Sequence, residues 1–190
     1  MKTGLFFGSF NPIHIGHLII ANYMAGFSGL KEVWLVVSPH NPLKNKNSLS
    51  NMYDRLEMSR LATETSEQIK VSDIEFNLPQ PSYTIDTLAY LQEKYPGKEF
   101  ALIMGADNLA SFKKWKNYEV ILKNYQIYVY PRPGADVSEW VNHPSIIITD
   151  TPQMDISSTF IRKGIAAGKN VQYFVPDNVL SFIDSKNMYR

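Results

Sequence analysis

Short apolar runs recur along the chain, separated by longer segments of mixed polarity. Residues 3–7, 33–37, 100–104, 126–130 and 146–149 read as strands, the first two as strands buried on both faces, and residues 71–74 as a weaker one. Segments of helical character lie between them. Residues 18–27 are apolar enough for a helix, with Gly26 and Gly29 as stop signals. Residues 51–65 read as an amphipathic helix with Met52, Leu56, Ser59, Leu61 and Ala62 near one side. Residues 84–95 predict a further helix that stops at Pro96-Gly97. Two last helices are expected to begin near Ser157 and Pro176, the second with proline where its missing N–H costs little.

Repeated β-α-β order of this kind predicts an α/β fold with a doubly wound, mostly parallel sheet, in one domain over residues 1–190. Ligands of such sheets bind outside the carboxyl ends of the strands, where loops lead into helices. The polar loops at residues 41–51 and 131–143 therefore read as surface or active-site loops.

Composition narrows the chemistry. Hydrophobic residues make up 44% and charged residues 19%, a globular balance. A formal net charge of +1 gives no basic footprint for nucleic acid, so an anionic ligand has to be held by local groups. The chain has no cysteine, which excludes disulfides, thiolate metal sites and a cysteine nucleophile. The apolar start breaks at Gly8, too early for a signal-peptide core, and no apolar run is long enough to span a bilayer. The expectation is a cytoplasmic protein with small-molecule partners, without nucleic acid or membrane; oligomeric state has no signature.

The segment GSFNPIHIGH, residues 8–17, sits where the first strand gives way to the first helix. Gly8 and Gly16 let the backbone approach a ligand closely, Ser9 and Asn11 add short polar groups, and Pro12 stiffens the turn. His14 and His17 are three residues apart, so on a helical first turn they point the same way. A helix start favours phosphate through its N–H groups and dipole, and two imidazoles add donors. Taken alone, a His-x-x-His pair is more often a turn with two surface histidines. A second segment, DISSTFIR at residues 155–162, sets three hydroxyls at a helix start with an arginine one turn in. It reads as a phosphate cradle or as an ordinary Ser/Thr cap.

Together the two segments resemble the HIGH-type nucleotidyltransferase superfamily, with His14-Ile15-Gly16-His17 standing literally and Asn11 where aspartate is usual. The resemblance implies a Rossmann-like nucleotidyltransferase fold and an ATP site at Gly8, Ser9, Phe10, His17, Ser158 and Arg162. In it, the histidines stabilise charge on the triphosphate during attack at the α-phosphorus. Three more segments, SPHNPLK at residues 38–44, PSYTIDTL at 81–88 and GAD with Trp115 from residue 105, are similar to the nicotinate-mononucleotide adenylyltransferase family. The similarity runs from Gly8 to Ile183. It implies that ATP and nicotinate mononucleotide are the substrates, with Mg²⁺ held mainly through phosphates and no dedicated protein metal site.

Residue by residue, the resemblance gives His14, His17, Lys44 and Arg162 catalytic roles, and sets Gly105 and Asp107 beside the nucleotide. Tyr83 and Thr84 would offer backbone groups to the nicotinate carboxylate, Trp115 would stack on the pyridine ring, and Lys44 would meet phosphate. Lys46 competes with Lys44 for that role, and Arg55 reads either as a phosphate contact or as a solvated helix charge. The attacking phosphate is largely dianionic at neutral pH, so no general base is expected. Rival readings are transfer to nicotinamide mononucleotide or phosphopantetheine, and a nucleotide sensor without catalysis.

Overall fold

The computed structural model describes residues 1–39 and 49–190. Its six strands form one sheet: β1 (Thr3–Gly8), β2 (Glu32–Val37), β3 (Ile69–Ser72), β4 (Phe100–Gly105), β5 (Gln126–Tyr130) and β6 (Ile146–Ile148). Every pairing is parallel, in the order β3-β2-β1-β4-β5-β6. The helices are α1 (Ile15–Phe27), α2 (Met52–Thr63), α3 (Thr84–Lys94), α4 (Ala106–Ala110), α5 (Tyr118–Asn124), α6 (Ser158–Ala166) and α7 (Asp177–Ser185). This is the doubly wound parallel sheet that the alternating pattern predicts, and the Rossmann-like arrangement that the resemblance implies.

Successive strand residues face opposite ways and feed two separate cores. Phe6, Leu35, Ile103 and Tyr128 join Ile20, Met24, Leu56, Ile161 and Val179 on the face covered by α1, α2, α6 and α7. Leu5, Val36, Leu102 and Val129 join Leu88, Leu91, Leu109 and Ile121 on the face covered by α3, α4 and α5. Burial of both faces is why β1, β2 and β4 read as unbroken apolar runs. Chain order reverses between β1 and β4, and that seam positions the site.

Local differences from expectation have physical causes. α1 starts at Ile15, before residue 18, because His14 takes extended backbone and serves as its N-cap. The third strand lies at Ile69–Ser72, earlier than 71–74, where Ile69 pairs with Val33. Ile74 instead opens a 3₁₀ turn, Ile74–Asn77. The buried side of α2 carries Arg55, Leu56, Met58, Ser59 and Thr63, while Met52, Leu61 and Ala62 are only half-buried. A polar stripe faces inward there because backbone carbonyls satisfy it, as described below. No helix among the described residues is long and apolar enough to cross a membrane.

Candidate functional site

At the carboxyl ends of β1, β4 and β5 lies a cleft of about 490 Å³, lined by Gly8 to Asn11, His14, His17, Asp107, Tyr130, Arg132, Ser158 and Arg162, among others. It gathers most of the ATP-site residues expected from the sequence. Gly105 lies just beneath, at the start of α4, where an added Cβ would strike the Asp107 carboxylate and the Tyr130 ring. Asp107 occupies the first turn of α4, after the Gly105 cap.

The turn from β1 into α1 is packed by its own rings. A Cβ on Gly8 would sit 2.7 Å from the Phe10 ring, and one on Gly16 would sit 3.1 Å from Nδ1 of His14. Both glycines thus make room for neighbouring side chains of the same segment. Phe10 itself adopts φ 44°, a left-handed conformation uncommon for a bulky residue, with its ring edge-on to Phe6 and His17. The imidazoles of His14 and His17 stack at 3.6 Å between centroids, so the two do point the same way. The His14 N–H donates to Nδ1 of His17 at 3.3 Å, which sets the His17 proton on Nε2.

The second segment locks onto the first. The Ser158 hydroxyl donates to the Pro12 carbonyl at 2.9 Å, and Nη1 of Arg162 donates to the Asn11 carbonyl at 2.8 Å. Ser157, not Ser158, caps α6, with its hydroxyl accepting from the Phe160 N–H. Of the two adjacent serines, one therefore caps the helix and the other ties it to the β1–α1 turn.

Four buried side-chain polar atoms among the described residues have no hydrogen-bond partner, and three of them belong to the cleft: Ser9 Oγ, His14 Nδ1 and Arg132 Nε. Such groups are costly to bury unsatisfied, and their concentration marks a polar ligand site. Arg132 went unrecognised in the sequence. It follows β5, its guanidinium covers the Tyr130 ring at 5.3 Å, and its Nε lies 4.0 Å from Asp107. A basic residue two positions past a strand on the ligand face is the signal that could have found it. Among the described residues there is no group of three or more His, Asp or Glu that could hold a metal, and Asp107 is the carboxylate that lines the cleft.

Burial and, secondly, the charge of Arg132 push His14 down to about 4. At neutral pH it is an uncharged donor, not the cation that a resting imidazolium would supply. The sign of the linkage follows. Between about pH 6.5 and 4 the unfolded chain takes up a proton that folded His14 refuses, so His14 subtracts stability as pH falls through that window. Glu75, raised by burial, has the opposite sense. Comparing the wild type with His14→Gln cancels the Glu75 contribution. The wild type should lose stability relative to the variant on acidification from pH 6.5 to 4, by roughly 3 kcal/mol at most. Urea unfolding of both proteins across this range measures it, and parallel pH profiles would contradict a neutral His14.

Arg55 is neither a phosphate contact nor a solvated charge. It is fully buried and donates to the carbonyls of Ser50, Ser9, Ser38 and Pro39 at 2.6 to 3.1 Å. Lys44, Lys46 and His40 lie outside the described residues.

The acceptor candidates stand beside the cleft, not within it. Trp115 is half-buried, edge-on to Phe112, and lines a small void with Phe6, Phe7, Asn108 and Tyr130, which the main cleft shares. Tyr83 is the N-cap of α3 and lies under the Lys116 ammonium at 4.8 Å; Lys116 also pairs with Asp86. The start of α3, with Thr84, is thereby tied to the segment that carries Trp115.

A family model described as cytidylyltransferase-like matches residues 5–164. A Flavobacterium psychrophilum protein named "Probable nicotinate-nucleotide adenylyltransferase" is 57% identical over 192 residues, with 100% of both chains covered. A protein of the same name from Flavobacterium johnsoniae is 56% identical over 192 residues, again with 100% of both chains covered. Among solved structures, Plasmodium falciparum nicotinic acid mononucleotide adenylyltransferase complexed with NaAD superposes with a TM-score of 0.83 at 19% identity, covering 100% of this chain and 98% of its own. At that identity the likeness speaks for the fold.

Proposed function

The chain belongs to the nicotinate-nucleotide adenylyltransferase family of cytidylyltransferase-like proteins, and on that premise we propose that His14, His17, Arg132 and Arg162 hold ATP for adenylyl transfer. The enzyme transfers the adenylyl group of ATP to nicotinate mononucleotide, giving nicotinate adenine dinucleotide and pyrophosphate in NAD biosynthesis. The observation that carries the ATP site is the set of unspent buried donors, Ser9, His14 and Arg132, around a cleft at the seam of the sheet.

The acceptor phosphate attacks the α-phosphorus as its P–O bond to the leaving pyrophosphate breaks. The nucleophile is already ionised, so the task is to bring two polyanions together and stabilise departing charge. Stacked His14 and His17 each carry an N–H donor for phosphate oxygens, and Arg162 retains guanidinium donors beyond its bonds to Asn11 and Thr159. A polyanion beside His14 would favour its protonated form, against the burial and the Arg132 charge that disfavour it. Asp107 is suited to a cation held chiefly by phosphates and water, and Mg²⁺ bound there would neutralise phosphate charge.

For the acceptor, the first-turn N–H groups of α3 at Thr84 suit a carboxylate, and Trp115 suits a pyridine ring. Lys44 would meet phosphate. A reaction that consumes ATP and builds NAD belongs in the cytoplasm. The reading is tested by pyrophosphate release with ATP and each of three acceptors. Nicotinate mononucleotide should exceed its amide by about tenfold or more in kcat/KM, as expected where a site's polar donors match one substrate only. A preference for phosphopantetheine, or ATP binding without pyrophosphate release, would reject it.

A further inference from the structure

Asn11 is 4% exposed, and its side-chain oxygen accepts from three donors: the Ser50 N–H at 3.2 Å, the Ser50 hydroxyl at 2.8 Å and the Tyr189 hydroxyl at 2.9 Å. Tyr189 comes from far along the chain. After α7 the backbone turns through Asn187 at φ 51° and Tyr189 at φ 64°, with the Met188 N–H donating to the Ile183 carbonyl. A tyrosine in the left-handed region is strained by sterics, so neighbouring contacts must hold it there. Burial pushes its phenol up to about 12, and the hydroxyl stays protonated and able to donate at every physiological pH.

The turn that Asn11 belongs to is the one that presents Ser9, Phe10 and His14 to the cleft. Its carbonyls are also held, Ser9 by Arg55, Asn11 by Arg162 and Pro12 by Ser158. Those three contacts restrain the backbone. The Tyr189 bond restrains the Asn11 side chain, and with it the attachment of Ser50 to the turn.

We infer that Tyr189 is a positioning residue of the nucleotide site, acting through Asn11 to hold the β1–α1 turn in its triphosphate-binding shape. It lines no part of the cleft, so its effect is indirect. The inference rests on the ATP site proposed above but not on the identity of the acceptor. Losing the bond leaves the buried Asn11 oxygen one donor short and relaxes the turn on which ATP depends, while the segments around Tyr83 and Trp115 are untouched.

The test is titration calorimetry of the full chain with ATP and, separately, with nicotinate mononucleotide, for the wild type, Tyr189→Phe, Asn11→Ala and the double variant. Tyr189→Phe keeps the ring and its packing. It should weaken ATP binding about tenfold and leave nicotinate mononucleotide within about twofold. In the Asn11→Ala background the tyrosine change should add nothing, because its route is already cut. Unchanged ATP binding, equal weakening of both ligands, or additive losses in the double variant would each overturn the positioning role. A wild type that fails to bind ATP would instead bring down the parent reading, which keeps the two failures apart.

Discussion

His17→Ala is expected to lower kcat for pyrophosphate release by about 10²–10³-fold while KM for both substrates stays within about threefold. The backbone of His14 is the reason. Its N–H donates to Nδ1 of His17, so the remaining ring proton on Nε2 is fixed in tautomer before any ligand arrives. A donor fixed in this way is most useful where charge grows, on the bridging and leaving oxygens as the α-phosphorus bond breaks. In the proposed site, Arg162, Arg132 and the backbone of the turn would hold ATP in the ground state, so its affinity should survive. Steady-state kinetics with both substrates varied distinguishes this from simple loss of binding. A variant that keeps kcat within threefold of wild type, or loses only KM, would remove His17 from the leaving-group role.

The second large effect is expected at Arg55, and on stability before activity. Its three guanidinium nitrogens serve four carbonyls in a fully buried position, and burial lowers its pKa only to about 10, so it stays charged at neutral pH. Arg55→Met fills the space but leaves those carbonyls without donors. The cost should be about 3–5 kcal/mol, the range for breaking a buried hydrogen-bonded charge network. In a domain of this size that lowers Tm by about 6–20 °C. Arg55→Lys keeps a charge but supplies three donors from one point, which cannot span carbonyls from Ser9, Ser38, Pro39 and Ser50, so it should recover less than half of the loss. Thermal unfolding of the three proteins checks this. A methionine variant as stable as wild type would mean the carbonyls find other donors.

Arg55 also shows what the one-dimensional pattern hides. A helical arginine at the polar edge of an amphipathic segment looks like a solvated charge or a ligand contact, because carbonyl partners leave no mark in residue identity. The same blindness applies to Arg132, which lines the cleft, and to Tyr189, which bonds Asn11 behind it, both from segments with no motif around them. What the sequence does display are features enforced locally. Apolar runs announce β1, β2, β4 and β5, the first two as strands buried on both faces, and the order Gly8, His14, His17, Ser158, Arg162 announces a cleft that the fold then assembles. α4 and α5 are too short to show a helical period, at five and seven residues. Gly8 and Gly16 were legible as close approaches, but the bodies that approach are the rings of Phe10 and His14, which only the folded turn reveals.

The bonds that shape the nucleotide turn join residues very distant along the chain: Asn11 to Tyr189, Asn11 to Arg162 and Pro12 to Ser158 span 178, 151 and 146 positions. Loop-closure entropy makes contacts of this kind late events in folding. A folding intermediate with most of its sheet already formed would therefore still lack the shape of the turn proposed to hold ATP, and ATP binding at that site would report that these distant segments have docked. By linkage, a nucleotide bound only by the docked form would in turn stabilise it.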